Sequence, residues 1–458
     1  MTDVAVRAQP FFANLRSREF SRLDRRQHAY LDYTGSGLYP ESLLERHAAM
    51  LREGVYGNPH SRHEPSQAST SVVEQARRAV LRFVDAPAEE FDVVFTANAS
   101  AAIKLVGESY PFAPGGAYVL AEDNHNSVNG VREFARRAGA RITYLPLGGE
   151  LRLQDPEPAI DAAAAAAGRE ARLFAYPAQS NFTGVKHPLE LVAHARARGF
   201  DVLLDAAAFV PTNPLSLRRV PADFVVLSFY KVFGYPTGVG ALVARRDALA
   251  RLRRPWFAGG TVDFASVQND MYQLRSGPEA FEDGSPDFLG LCALVPGLEF
   301  MERLGMDRLS EHVRLLAGDL LETLNGLRHP NGNPMVEVYG PRTMDRRGGT
   351  VAFNVLDAAG QPVSYDQVED RARGAGVSVR GGCFCNPGAG ERAFSLPADE
   401  AARCFQATAR GFTLERFAQC MGPGIAVGAV RASVGMASNA DDIRRLGEII
   451  ERVAEQPA

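Results

Sequence analysis

The sequence predicts an α/β fold with a large domain followed by a smaller α+β C-terminal domain. Three observations lead there. Apolar runs that read as buried strands recur through the first half of the chain, separated by helical patterns and small-residue turns. Four of these strands are followed by a chemically capable side chain, in the order His125, Asn181, Asp205 and Lys231. α/β sheets place their sites at the carboxyl ends of strands, so this order is that of a shared site. Finally, 458 residues with 46% hydrophobic and 23% charged content are enough for a large core and two domains. The expected division is an N-terminal arm over residues 1–29, a large domain over 30–300 whose first part also contributes to the small domain, and a small domain over 301–458, with the boundary near Met301.

Bulk composition excludes several roles. A net charge of −4 is mild and shows neither a basic nucleic-acid surface nor a membrane-binding face. No apolar segment reaches the roughly 18 residues needed to span a bilayer. Residues 1–15 lack a basic start followed by an apolar core, so the expected location is the cytoplasm. Five cysteines, an odd number, do not read as a disulfide framework in a chain of this length. Cys292, Cys404 and Cys420 stand singly in apolar or helical surroundings and read as small core residues.

In chain order, the arm is rich in Arg, carries Phe11, Phe12 and Phe20, and reads as a segment that packs on the body or on a partner. Residues 30–37 are a short strand running into a Gly-rich turn, and an amphipathic helix and a turn with its helix cap (56–63) follow. Residues 92–103 read as strand, small-residue turn and helix. The first N–H groups of such a helix, with the positive end of its dipole, suit a phosphate. The strand within 118–128 ends in a polar cluster holding His125, whose flat ring can stack on a heterocycle and shuttle protons. An Ala-rich helix over 160–169 precedes the strand that leads to Gln179 and Asn181. The strand within 200–208 ends in Asp205. The apolar run within 222–243 ends at Ser228-Phe229-Tyr230-Lys231, which places a lysine at a strand edge in a polar pocket. Partial desolvation can lower the pKa of such an amine until it attacks a carbonyl cofactor.

The C-terminal part reads as a strand over 349–355, a helix over 365–375 and a final helix over 441–453. Between them, residues 377–390 carry Cys383 and Cys385 among glycines and a proline, which predicts a loop with accessible thiols. A metal pair, a redox pair and an unused pair are the other readings, with nucleophilic sulfur chemistry ranked first. A single Cys-x-Cys lacks the second ligand pair of a zinc site, and its spacing strains a disulfide. Residues 428–435 are an apolar strand with one arginine, Arg431, whose planar fork suits a carboxylate.

Taken together, these stretches resemble the fold-type I pyridoxal-phosphate (PLP) enzymes of the class V aminotransferase group. Within it they are most similar to the cysteine desulfurases and to the N-terminal domain of molybdenum cofactor sulfurases, over residues 30–446. The resemblance implies a mostly parallel central sheet in the large domain and PLP as cofactor. It implies an imine at Lys231, a pairing of Asp205 with the pyridine nitrogen, and His125 over the ring. Asn181, with Gln179 beside it, falls to the phenolate oxygen and substrate carboxylate. Ala99, Ser100, Ser228 and Tyr230 fall to the phosphate, and Ala207 joins the cofactor set. Arg431 and Arg380 would bind the substrate carboxylate, and Cys385 would form a persulfide. The loop 257–261, with Thr261, would reach the other subunit of a homodimer.

The implied reaction converts L-cysteine to L-alanine and passes sulfur to an acceptor protein or small molecule. The alternatives are β-elimination on a cysteine S-conjugate, which would not need Cys385, or another class V reaction on an amino acid. A non-catalytic role is disfavoured by the intact Lys231, Asp205 and Arg431. Four positions depart from the pattern: Ala208 replaces a glutamine, Tyr230 and Cys383 replace histidines, and Gly390 replaces a further cysteine. The sequence ends at Ala458, so a dedicated molybdenum role is not expected.

Overall fold

The computed structural model describes residues 3–168, 170–422 and 424–455, with the side chains of the first helix described from Pro10 onward. Arg169, the expected end of the Ala-rich helix, and the extreme ends of the arm and of the C-terminal domain lie outside the described residues.

A seven-stranded sheet organises the molecule. Its spatial order is Phe91–Thr96, Gly240–Arg245, Phe224–Ser228, Asp201–Asp205, Arg172–Pro177, Ala117–Ala121 and Arg141–Leu145. From Phe224–Ser228 outward all pairs are parallel. Gly240–Arg245 alone runs antiparallel to both of its neighbours. Its approach contains only the short helix Phe229–Phe233 and a turn, which bring the chain straight back beside the strand it has just left. Helices cover both faces, so the central strands are apolar at nearly every position. Val225, Val226, Leu227, Leu203 and Leu204 are all fully buried.

A second, antiparallel sheet is built from Val336–Tyr339, Thr350–Val355, Ala429–Ser433 and Arg380–Gly382. The early segment lies beside it: Ala29–Tyr30 pairs in parallel with Val377–Ser378 as a separate two-stranded sheet, and Asp32 bridges to Ser433 of the antiparallel sheet. The N-terminal helix Asp3–Glu19 packs on the body, with Phe12 and Phe20 buried and Arg16 donating to Asp442 at 2.6 Å. Met301, where the sequence places the domain boundary, is buried inside the helix Leu294–Leu304.

One expectation is overturned by the fold. Cys404 and Cys420 are joined in a disulfide, and Cys420 is exposed. Each looks isolated in the sequence because 16 residues separate them. The helices Ala398–Thr408 and Leu414–Met421 fold back on each other as a hairpin and bring the two sulfurs together.

Candidate active site

A cavity of about 1100 Å³ opens between the two sheets, and Lys231, His125, Asn181, Arg431, Arg380 and Cys385 all line it. Tyr230 faces the same space.

Lys231 sits beyond the strand edge at which the sequence places it, in the one-turn helix Phe229–Phe233 that follows the strand. The backbone fits here only because of glycine: a Cβ on Gly37 would lie 2.9 Å from the Lys231 carbonyl oxygen. Burial lowers the pKa of the Lys231 amine; Asp205 opposes that shift and Arg431 adds to it. The result is an amine held closer to its nucleophilic form. Asp205 closes its strand, is 8% exposed, and accepts from the Ala207 N–H at 3.0 Å through Oδ1.

His125 is the N-cap of the helix Asn126–Arg137. Its Nδ1 accepts from the Ser127 N–H at 3.1 Å, so the neutral ring carries its proton on Nε2. Burial pulls its pKa down, with Asp205 opposing and Lys231 and Arg431 adding to the shift, so the ring is neutral at physiological pH.

The start of the helix Ala99–Ser109 forms a separate polar cluster at the sheet edge. Asn98 caps the Ala101 N–H at 3.0 Å, Ser228 Oγ accepts from the Ala99 N–H at 2.9 Å, and Ser100 Oγ meets Ser127 Oγ at 2.6 Å. Strand and helix start approach closely because residue 240 is glycine. A Cβ there would lie 2.5 Å from Asn98 Cα.

Arg431 is almost completely buried. Its Nη1 donates to the Asn181 carbonyl at 2.9 Å, Nη2 donates to Asp32 Oδ1 at 3.2 Å, and its carbon lies 4.7 Å from the Phe384 ring centre. Nε has no partner. Arg380 donates to the same Asp32 carboxylate, at 2.6 Å through Nη2. Asp32, in the 30–37 segment, carries no signal in the sequence, because a carboxylate in a short strand points to nothing until its partners are in place.

The cysteine segment is more ordered than the predicted loop: a strand, Arg380–Gly382, a turn, then a helix, Pro387–Ala393. Phe384 and Cys385 at the turn adopt left-handed φ of 54° and 55°. Asn181 Nδ2 donates to the Phe384 carbonyl at 2.7 Å, and Asn126 N donates to the Cys385 carbonyl at 2.7 Å. Asn386 donates to Asn181 Oδ1 at 2.9 Å and to the buried Asp123 at 2.6 Å. Asp123 also meets His187 Nε2 at 2.8 Å, which clamps the segment to the large sheet. The two thiols are not equivalent, contrary to the expectation that both are accessible. Cys385 is exposed, whereas the half-buried Cys383 donates to the Val427 carbonyl at 3.1 Å, and burial pushes its pKa up to about 11.

The remaining predicted residues divide. Gln179 and Ala207 line a small void shared with Lys231. Gln179 is held at both ends, donating to the Ala208 carbonyl at 3.0 Å and accepting from Asn213 at 3.2 Å. Thr261 does not join the site within one chain. It is fully buried, and its hydroxyl bonds to Ala258 in its own loop at 2.9 Å.

Residues 29–446 match the class-V aminotransferase family. The chain belongs to that family. Its cofactor is accordingly PLP, and the structure fits the group: a buried amine whose pKa is lowered, a carboxylate at the end of the neighbouring strand, a flat neutral imidazole, and a helix start lined with hydroxyls.

Among its relatives, the human molybdenum cofactor sulfurase is 36% identical over 455 residues, covering 94% of this chain and 50% of that protein. The bovine molybdenum cofactor sulfurase is 39% identical over 399 residues, covering 82% of this chain and 45% of that protein. The chain therefore spans about half the length of these sulfurases. The apo structure of a cysteine desulfurase from Thermococcus onnurineus superposes with a TM-score of 0.79 at 25% identity, covering 96% of this chain and 98% of that one.

Proposed function

We propose that this class-V enzyme is a PLP-dependent, cysteine desulfurase-like sulfurtransferase that takes the sulfur of L-cysteine onto Cys385 and hands it to an acceptor. The observation that carries the reading is the exposed Cys385 thiol on the same cavity as Lys231 and Arg431. When bound, PLP supplies an electron sink that acidifies the substrate Cα–H. The residues supply the rest. Lys231 anchors the cofactor and moves the Cα proton, and Asp205 holds the proton of the ring nitrogen. Ala99, Ser100 and Ser228 hold the phosphate, with Tyr230 beside them. Arg431, with its spare Nε, and Arg380 orient the substrate carboxylate. The Cys385 thiolate then attacks the substrate sulfur, the Cβ–S bond breaks with its electron pair left on Cβ, Cβ takes up a proton, and alanine leaves while the sulfur stays as a persulfide.

The reading extends to a homodimer. Trp256, Phe257, Phe264, Val267, Met271 and Tyr272 expose apolar surface on and beside the hairpin of Val262–Ser266 and Met271–Leu274, at whose base Thr261 lies. The exposure of that surface, which a second copy would cover, is what supports the homodimer.

The test is product analysis with L-cysteine and a reductant, beside the Cys385→Ala variant. Alanine and sulfide from the parent but not from the variant are expected. Pyruvate from both, or no turnover, would sink the reading.

A further inference from the structure

The active-site cavity has two unlike sides. Lys231, Arg380, Arg431 and His125 make one side cationic and polar. A second wall comes from the disulfide-linked hairpin and its flanks, and every lining residue within 394–427 is apolar, Phe405, Phe412, Leu414, Phe417 and Val427 among them. Its aromatic rings form a connected row: Phe405 and Phe412 centroids lie 5.7 Å apart, and Phe412 and Phe417 centroids 6.1 Å apart. Phe405 is 59% and Phe412 45% exposed, so the row keeps uncovered aromatic surface. Cys385 lines the same cavity.

PLP anchored at Lys231 and an amino acid held by Arg431 take the cationic side of this cavity of about 1100 Å³, and neither is matched to the apolar wall. From this, and resting on the sulfur-transfer reading above, we propose that the hairpin wall is the subsite for the acceptor, and that the acceptor is a small molecule with an aromatic or similarly apolar body and a thiol. The Cys404–Cys420 bond holds the two helices of the wall in place before the ligand arrives, which limits the ordering cost of binding. In the transfer, the acceptor thiolate attacks the outer sulfur of the Cys385 persulfide. The S–S bond breaks, its electron pair stays on Cys385 Sγ, and the acceptor leaves as its own persulfide. No outside oxidant or reductant enters.

The experiment loads the holoenzyme with L-cysteine, removes the excess, and confirms the persulfide by intact mass. Phenylmethanethiol or 2-mercaptoethanol is then added at equal thiolate concentration, and loss of sulfur from Cys385 is followed, normalised to the persulfide loaded. Transfer to the aromatic thiol is expected to be about tenfold faster in the parent. That preference is expected to vanish in the Phe405→Ser, Phe412→Ser double variant and to survive in the Phe405→Leu, Phe412→Leu one. Equal rates in the parent, or a preference that outlasts the serine pair, would overturn the proposal. If the serine pair fails to take up cofactor, the parent's own ratio decides. A parent with no persulfide overturns the sulfur-transfer reading itself, and this inference with it, and the mass spectrum tells that failure apart from the others.

Discussion

Arg431 Nη2 donates to Asp32 Oδ1 at 3.2 Å, and the same carboxylate receives Arg380, so one early residue balances both arginines that line the cavity. The pair is buried, with the Arg431 and Asp32 side chains 4% and 10% exposed. Removing one member of such a pair leaves a charge without compensation. Asp32→Asn should therefore lower unfolding stability by roughly 3 kcal/mol, read by urea denaturation. A loss within experimental error would show that water or Asn181 compensates the guanidinium.

Arg431→Lys keeps the charge but loses the fork that reaches Asn181 and Asp32 at once. The KM for L-cysteine should rise about tenfold or more, from the loss of a charge-assisted hydrogen bond. The first-order rate of persulfide formation at saturation should change less. Steady-state kinetics separates the two, and an unchanged KM would remove Arg431 from substrate binding.

Cys383 and Cys385 should part in alkylation. With its pKa pushed up to about 11 by burial, Cys383 stays a thiol at pH 8. Iodoacetamide should label Cys385 at least about tenfold faster, as mapped by peptide mass spectrometry, and Cys383→Ala should keep desulfuration. Equal labelling would show that the turn opens readily.

His312 stacks on Phe12 with centroids 3.8 Å apart, and burial lowers its pKa from 6.5 to about 4. The unfolded chain therefore binds a proton more tightly than the folded one between those values. Stability from this group is complete above pH 6.5 and is lost as the pH falls towards 4. The loss between pH 7.5 and pH 5 should be about 2 kcal/mol. His312→Leu should remove that share of the acid sensitivity in urea titrations at the two pH values, and an identical slope in both proteins would refute the assignment.

The disulfide makes a prediction about local opening. Closing a loop of this size is worth roughly 3 kcal/mol in chain entropy. Cys420→Ser should make Arg410 and Arg416, in and beside the hairpin, early sites of limited trypsin cleavage, with the body intact. Parent and variant cut at equal rates would mean that helix packing alone holds the wall.

Most of the large sheet was legible in the sequence because its strands are buried on both faces and read as unbroken apolar runs. The run 224–228 and the Asp205 strand are examples. The ends of these strands carried the site residues in readable order, since a parallel sheet delivers all its carboxyl ends to one edge. What stayed hidden depends on partners far away in sequence. Asp32 and Arg431 are 399 residues apart, and Cys383 meets a carbonyl 44 residues on. The sequence by itself determined the α/β class, the lysine, aspartate and histidine at the strand ends, and the cysteine segment, because local periodicity and residue chemistry carry that information. Only the tertiary structure decided which thiol is exposed, which carboxylate balances the arginines, and that two solitary cysteines join to brace an apolar wall. Burial and pairing are properties of neighbours in space, and the chain meets those neighbours only when both sheets have formed.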